Sequence, residues 1–160
     1  MSSFKLGEII IFKNAVTVAV IKAEHAADLP LPRYMTDGSA GMDLYAAVET
    51  KIEIKPGERA LIPTGLHMAI PVGYELQVRP RSGLAINQGI GVLNSPGTID
   101  PDYRGEIKII LINMGQEPYA VMRGDRVAQA VLCPVIQARF ELTEQLPPSG
   151  RNEGGFGHTG

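Results

Sequence analysis

Arg81, Ser82 and Gly83 stand in a row in "RPRSGLA" (79–85), where a short helix over "SGLAINQ" (82–88) would begin. A guanidinium fork, a hydroxyl and exposed backbone N–H groups at a helix start suit the binding of phosphate. The same residues would also make an ordinary capped turn with solvated arginines, Ser82 serving as the N-cap. Asp43, in "GSAGMDLYA" (38–46), falls where a strand begins, a position that turn carboxylates also favour. Asp100 lies in "NSPGTIDPDYRGEI" (94–107), which crowds Asp102, Tyr103 and Arg104 ahead of an apolar strand. The "TID" step predicts an inward-facing carboxylate between apolar neighbours.

The chain ends in "RNEGGFGHTG" (151–160), ten residues with four glycines and no aliphatic side chain. Such a stretch cannot bury enough apolar surface to offset the entropy of ordering it. It is either a frayed terminus or a segment that orders on a ligand, with glycine N–H groups at close approach, charge from Arg151 and a stacking face from Phe156. Residues Gly155 to Gly160 spell G-x-G-x-x-G. A dinucleotide site needs a strand before that motif and a helix after it, and no helix follows here. No phosphate-binding G-x-x-x-x-G-K-[ST], C-x-x-C or G-x-S-x-G occurs, and His25, His67 and His158 are too scattered to suggest zinc.

The elements that must position these residues read as strands. "AVTVAVI" (15–21) is rich in β-branched residues, "KIEIK" (51–55) alternates, and "EIKIILIN" (106–113) alternates into an apolar run. "YELQV" (74–78) and "RVAQAVL" (126–132) follow the same pattern, separated by the turn signals "KPGE", "IPTG", "IPVG" and "MRGD". Eighteen glycines and twelve prolines leave few windows of helical length, so "SGLAINQ" is the one plausible helix. The fold expected is all-β, a barrel or sandwich. Residues 1–15 read as a leader of unclear role, 16–145 as the β-domain, and 146–160 as a flexible glycine-rich tail.

At 160 residues, 44% hydrophobic and 20% charged, the chain has the composition of one globular domain. No apolar run approaches membrane-spanning length, and "MSSFKLGEIIIFKNAV" makes a poor signal peptide. A cytoplasmic location is therefore expected, with the nucleus as the alternative, and no membrane partner. The single Cys133 has no disulfide partner within the chain, fits a reducing compartment, and reads as a small buried residue in "VAQAVLCPV". A net charge of −2 argues against a protein that coats nucleic acid, whereas a small polyanion needs only a local arginine cluster.

Taken in order, "AGMDLYA", "RPRSGLA", "NSPGTIDPDYRGEI", "RGDRVAQAVL" and "RNEGGFGHTG" closely resemble the five ordered motifs of trimeric dUTP pyrophosphatases (dUTPases). The resemblance runs from about Val16 to Gly160. It departs at Asn152, where the family usually has glycine, and at His158, where serine is common. It implies a distorted jelly-roll β-barrel with one short helix, assembled as a homotrimer whose sites draw on all three chains. It also implies hydrolysis of dUTP to dUMP and pyrophosphate, with Mg²⁺ as cofactor.

By the same resemblance, Asp100 would orient and deprotonate the attacking water and contact the sugar 3′-OH. Asp43 would support the metal through water. Arg81, Ser82 and Gly83 would hold phosphates, Gln129 would join them near the α-phosphate, and Arg151 would close on the γ-phosphate. The hairpin from Asn94 to Lys108, including Thr98 and Ile99, would form the uracil pocket, with Tyr103 packed under deoxyribose. Phe156 would stack on uracil beside Gly157 as the tail closes. The related dCTP deaminases carry a catalytic glutamate on the strand after the "IDP" loop, where this chain has Ile110. A non-catalytic nucleotide-binding module on the same scaffold is the other rival, which the intact Asp43, Asp100 and tail disfavour.

Overall fold

Strict alternation organises the middle of the molecule. In the computed structural model, which describes residues 15–154, strand β6 (Tyr74–Arg79) buries Leu76 and Val78 and turns Glu75, Gln77 and Arg79 to the opposite face. β9 (Lys108–Asn113) does the same with Ile109 and Leu111. The remaining strands are β1 (Ala19–Lys22), β2 (Met42–Tyr45), β3 (Ile52–Ile54), β4 (Arg59–Pro63), β5 (Leu66–Ala69), β7 (Ile90–Val92), β8 (Gly97–Ile99), β10 (Tyr119–Val121) and β11 (Arg126–Pro134). A 3-10 turn (Glu24–Ala26) follows β1, and the helix α1 (Ser82–Gln88) follows β6. Among the described residues, no helix is long and apolar enough to cross a membrane.

The fold is all-β and jelly-roll-like. Its strands are hydrogen-bonded as four sheets, β1-β5, β10-β3, β2-β11-β6-β8 and β4-β9-β7, not as one closed barrel. The described pairings are antiparallel, and the sheets share one core in which Leu44, Ile62, Leu76, Ile109 and Leu111 are almost wholly buried. Burial of such side chains contributes about 1.5–3 kcal/mol each relative to exposure. Asp43, Thr64 and Asn113 are the buried polar side chains among the described residues, Asn113 the most deeply set. Asn113 donates to the carbonyls of Ile54 (2.9 Å) and Glu117 (2.8 Å) and accepts from the Gly115 N–H (2.9 Å), so its burial leaves nothing unpaired.

The expected turns are turns: Gly57, Gly65, Gly73 and Gly124, the glycines of the four signals, have positive φ. The helix has the expected bounds, and Gly89 ends it at φ 66°. Its cap differs. Arg81 occupies the N-cap position without a side-chain cap bond, and Ser82 is the first helical residue. The strand expected over 15–21 begins only at Ala19 and is mostly exposed. That expected over 106–113 begins at Lys108, because Ile107 bonds instead to Leu66, its N–H donating to that carbonyl at 2.8 Å. Strands β4, β5, β7, β8 and β10 carried no expectation; three of them are three residues long, too short to establish a period. Cys133 is half-buried, not buried, with Arg79 Nη2 3.7 Å from its sulfur. The expected leader lies, except for Ala15, outside the described residues, as do Phe156, Gly157 and His158 of the tail.

Candidate active site

The four-stranded sheet carries two clusters of polar side chains. At one edge β2 pairs with β11, setting Asp43 opposite Gln129. A bulge between Arg126 and Ala128 gives β11 one extra residue there. Its consequence is chemical. Arg126 pairs with Tyr45, which shares the face of Asp43, so Arg126 and Gln129 point the same way although three residues apart.

Asp43 is buried and doubly bridged: Arg81 Nε lies 2.9 Å from Oδ1 and Arg126 Nη1 lies 3.1 Å from Oδ2. Arg81 Nη1 also donates to the Arg126 carbonyl at 2.9 Å, closing a three-residue ring. Gln129 donates to the Pro80 carbonyl at 2.9 Å, tying β11 to the segment that delivers Arg81. Ser82 and Gly83 follow at the exposed start of α1, and a Cβ at Gly83 would have nothing within 4 Å. The arrangement presents two guanidinium groups, steered by one carboxylate, beside an open helix start. That is chemistry for a polyanion.

The second cluster is a concave pocket of about 390 Å³ lined by Leu61, Thr98, Ile99, Asp100, Tyr103, Glu106 and Lys108. β8 reaches it by pairing with β6, and the loop from Asp100 folds back because the Tyr103 N–H donates to the Asp100 carbonyl at 3.2 Å. The Tyr103 hydroxyl donates to the Glu106 carbonyl at 3.0 Å, which draws its ring across Gly105. A Cβ on Gly105 would stand 2.3 Å from that hydroxyl oxygen, so only glycine lets the ring lie there. Lys108 Nζ is 3.4 Å from Glu106 Oε2. Asp100 is exposed at the pocket, which corrects the expectation of an inward carboxylate: the turn that begins at Pro101 lifts it out of the sheet and into the opening.

Asp43, Arg81, Ser82, Gly83 and Gln129 are thus brought to one place, and Thr98, Ile99, Asp100, Tyr103 and Lys108 to another. Asn94 lines neither; its amide stands over Gly97, 3.2 Å from where a Cβ would be. Arg151 belongs to the exposed tail and bonds locally to the Gly154 carbonyl. Asn152, at the position of the family's usual glycine, adopts φ 44° and exchanges bonds with Ser149. Asparagine is among the residues that tolerate that conformation. Arg126 and Glu106 carried no expectation. Period-2 reasoning puts Arg126 on the face opposite Gln129, and only the bulge reverses it.

Comparison with known proteins decides the family. The dUTPase family model matches residues 27–160. The chain belongs to the dUTPase family. It is 54% identical over 149 residues to a deoxyuridine 5′-triphosphate nucleotidohydrolase of Brucella melitensis biotype 2, covering 92% of this chain and 95% of that protein. To the deoxyuridine 5′-triphosphate nucleotidohydrolase of Caldanaerobacter subterraneus subsp. tengcongensis it is 51% identical over 146 residues, covering 91% of this chain and 99% of that protein. Among solved structures, a dUTPase of Staphylococcus bacteriophage 80alpha with dUpNHpp superposes with a TM-score of 0.79 at 23% identity, covering 91% of this chain and 99% of that one. A dUTPase from phage phi11 of S. aureus, described with a structural Mg(II) ion, gives 0.72 at 22% identity, covering 81% and 98%. These phage likenesses bear on the fold. Membership of the dUTPase family makes the chain a hydrolase of nucleotide metabolism, of the dUTP diphosphatase class.

Proposed function

We propose that this chain hydrolyses dUTP to dUMP and pyrophosphate in sites assembled between three copies, keeping uracil out of DNA and supplying dUMP for thymidylate synthesis. The observation that carries the reading is the pocket of the Gly97–Lys108 segment, where a carboxylate and an aromatic ring face one cavity of nucleoside size. Asp100 orients water and takes its proton as it attacks the α-phosphorus, and it contacts the sugar 3′-OH. Thr98 and Ile99 read uracil through main-chain groups, the Asn94 amide joins them from beside Gly97, outside the pocket lining, and Lys108 stands at the pocket edge. Tyr103 lies under deoxyribose and leaves no room for a 2′-OH.

Arg81, Ser82 and Gly83 hold the phosphates, and Gln129 joins them near the α-phosphate. Arg151 closes on the γ-phosphate while Phe156 stacks on uracil beside Gly157. Positioning and charge neutralisation supply most of the acceleration in such reactions.

The residues present fit Mg²⁺. Among the described residues there is no group of three or more His, Cys, Asp or Glu side chains that could cage a metal. A single carboxylate with waters and substrate phosphates matches the way Mg²⁺ is usually held. Asp43 is the residue that would hold it, through water. When bound, the ion would neutralise charge on the triphosphate. A cytoplasmic location remains the expectation for a chain whose single cysteine has no partner within it.

Pyrophosphate release measured with dUTP, UTP, dTTP and dCTP tests the whole reading. The expected result is Mg²⁺-dependent release from dUTP in strong preference to the others. Ammonia release from dCTP would point to the deaminase alternative, and tight dUTP binding without turnover to a non-catalytic module.

A further inference from the structure

We propose that Glu106 is a positioning residue that sets the sugar selectivity of the pocket, an inference that rests on Tyr103 being the deoxyribose wall. Its side chain is 16% exposed against 45% for Lys108 beside it, the deeper-set of the two charged partners. Oε1 accepts the Gly65 N–H at 2.8 Å, with His25 Nε2 beyond it at 3.7 Å, and Oε2 faces Lys108 Nζ at 3.4 Å. At the same residue the main-chain carbonyl accepts the Tyr103 hydroxyl at 3.0 Å. One residue therefore joins the tyrosine to the turn between β4 and β5.

That turn is a firm anchor. Gly65 has φ +65°, and a Cβ there would stand 2.1 Å from the Ala26 Cβ, so the turn packs directly against the 3-10 turn and only glycine fits. On either side, Thr64 Oγ1 donates to the Ile107 carbonyl at 2.6 Å and the Ile107 N–H donates to the Leu66 carbonyl at 2.8 Å. Without the Glu106–Gly65 bond, the peptide carrying the Tyr103 acceptor keeps only the Ile107 N–H bond to Leu66 as its tie to this turn, and a buried N–H loses its partner. The ring can then tilt and admit a 2′-OH. Asp100 and the Asp43–Arg81–Arg126 ring do not depend on that bond, so the readout is the preference between the two sugars, not the turnover of dUTP.

Two conservative variants of the full-length protein separate reach from charge. Glu106→Gln keeps the length and an oxygen for Gly65 but removes the charge facing Lys108 and His25. Glu106→Asp keeps the charge but is one methylene short of Gly65. Measured as kcat/KM for UTP relative to dUTP, Glu106→Gln should stay within about twofold of the parent, and Glu106→Asp should rise about five- to tenfold, the scale of one net hydrogen bond. Amide exchange at Gly65 should quicken in Glu106→Asp alone. An unchanged ratio in Glu106→Asp with faster Gly65 exchange overturns the proposal, as does equal relaxation in both variants. A parent enzyme that does not prefer dUTP over UTP would instead overturn the reading of the pocket as a deoxyribose site.

Discussion

Asp43 and Asp100 live in opposite surroundings, and the roles proposed for them divide accordingly. Asp43 is buried, with each oxygen engaged by a guanidinium, so it is suited to holding charged groups in place. Asp100 is exposed at the pocket, where water and substrate can reach it. A general base must be within hydrogen-bond reach of the proton it removes, and in the proposed reaction Asp100, exposed at the pocket, takes that part. Asp100→Asn should bind dUTP nearly as well as the parent while losing about 10²–10⁴ in kcat. Single-turnover rates within about tenfold of the parent would show that another group is the base. Tyr103 makes a second residue-scale test. A smaller side chain there should raise UTP hydrolysis relative to dUTP, and an unchanged ratio of kcat/KM would place sugar reading elsewhere.

At the scale of elements, residue types announced the chemistry more clearly than the geometry. Asp43, Arg81 and Gln129 are recognisable from their motifs, and the helix that follows Arg81 has the expected bounds. The partner Arg126 was hidden because a bulge is a property of two paired strands, and neither "RGDR" nor "GMDLY" reveals the other's register. Glu106 was hidden for a similar reason: its acceptor role depends on Gly65, 41 residues away in sequence. The tail is the element whose composition says most. Residues 135–154 contain no strand or helix, and among the described residues the Arg151 side chain bonds within its own segment, to the Gly154 carbonyl. Deleting residues 151–160 should leave the β-domain folded, because Arg151 to Glu153 are exposed in the protomer. Activity should nonetheless fall steeply. Base–aromatic stacking is worth about 1–3 kcal/mol, so Phe156→Ala alone should lower kcat/KM by about one to two orders of magnitude. Parent-level hydrolysis by the truncated protein would show that the tail is only a frayed end.

The whole molecule poses a distance problem that assembly can solve. From Asp43 on β2 to Thr98 on β8 the sheet crosses three strand spacings, roughly 14 Å. One protomer thus separates its phosphate-type cluster from its nucleoside-type pocket. It also leaves Ile136, Phe140, Leu142 and Leu146 each more than 80% exposed within one short segment. In the assembly proposed, an interface between copies would cover such side chains while bringing clusters of different chains together. Sedimentation should therefore find three copies of the 17.2 kDa chain before any nucleotide is added. A stronger test uses two inactive proteins. Asp100→Asn has a tail but no base, and the chain lacking residues 151–160 has a base but no tail. If each site takes its base and its tail from different chains, co-expressed subunits that mix at random should recover about a quarter of the parent's active sites. Separately purified samples combined without subunit exchange should recover none. If the mixed trimers are as silent as their parents, base and tail come from the same chain.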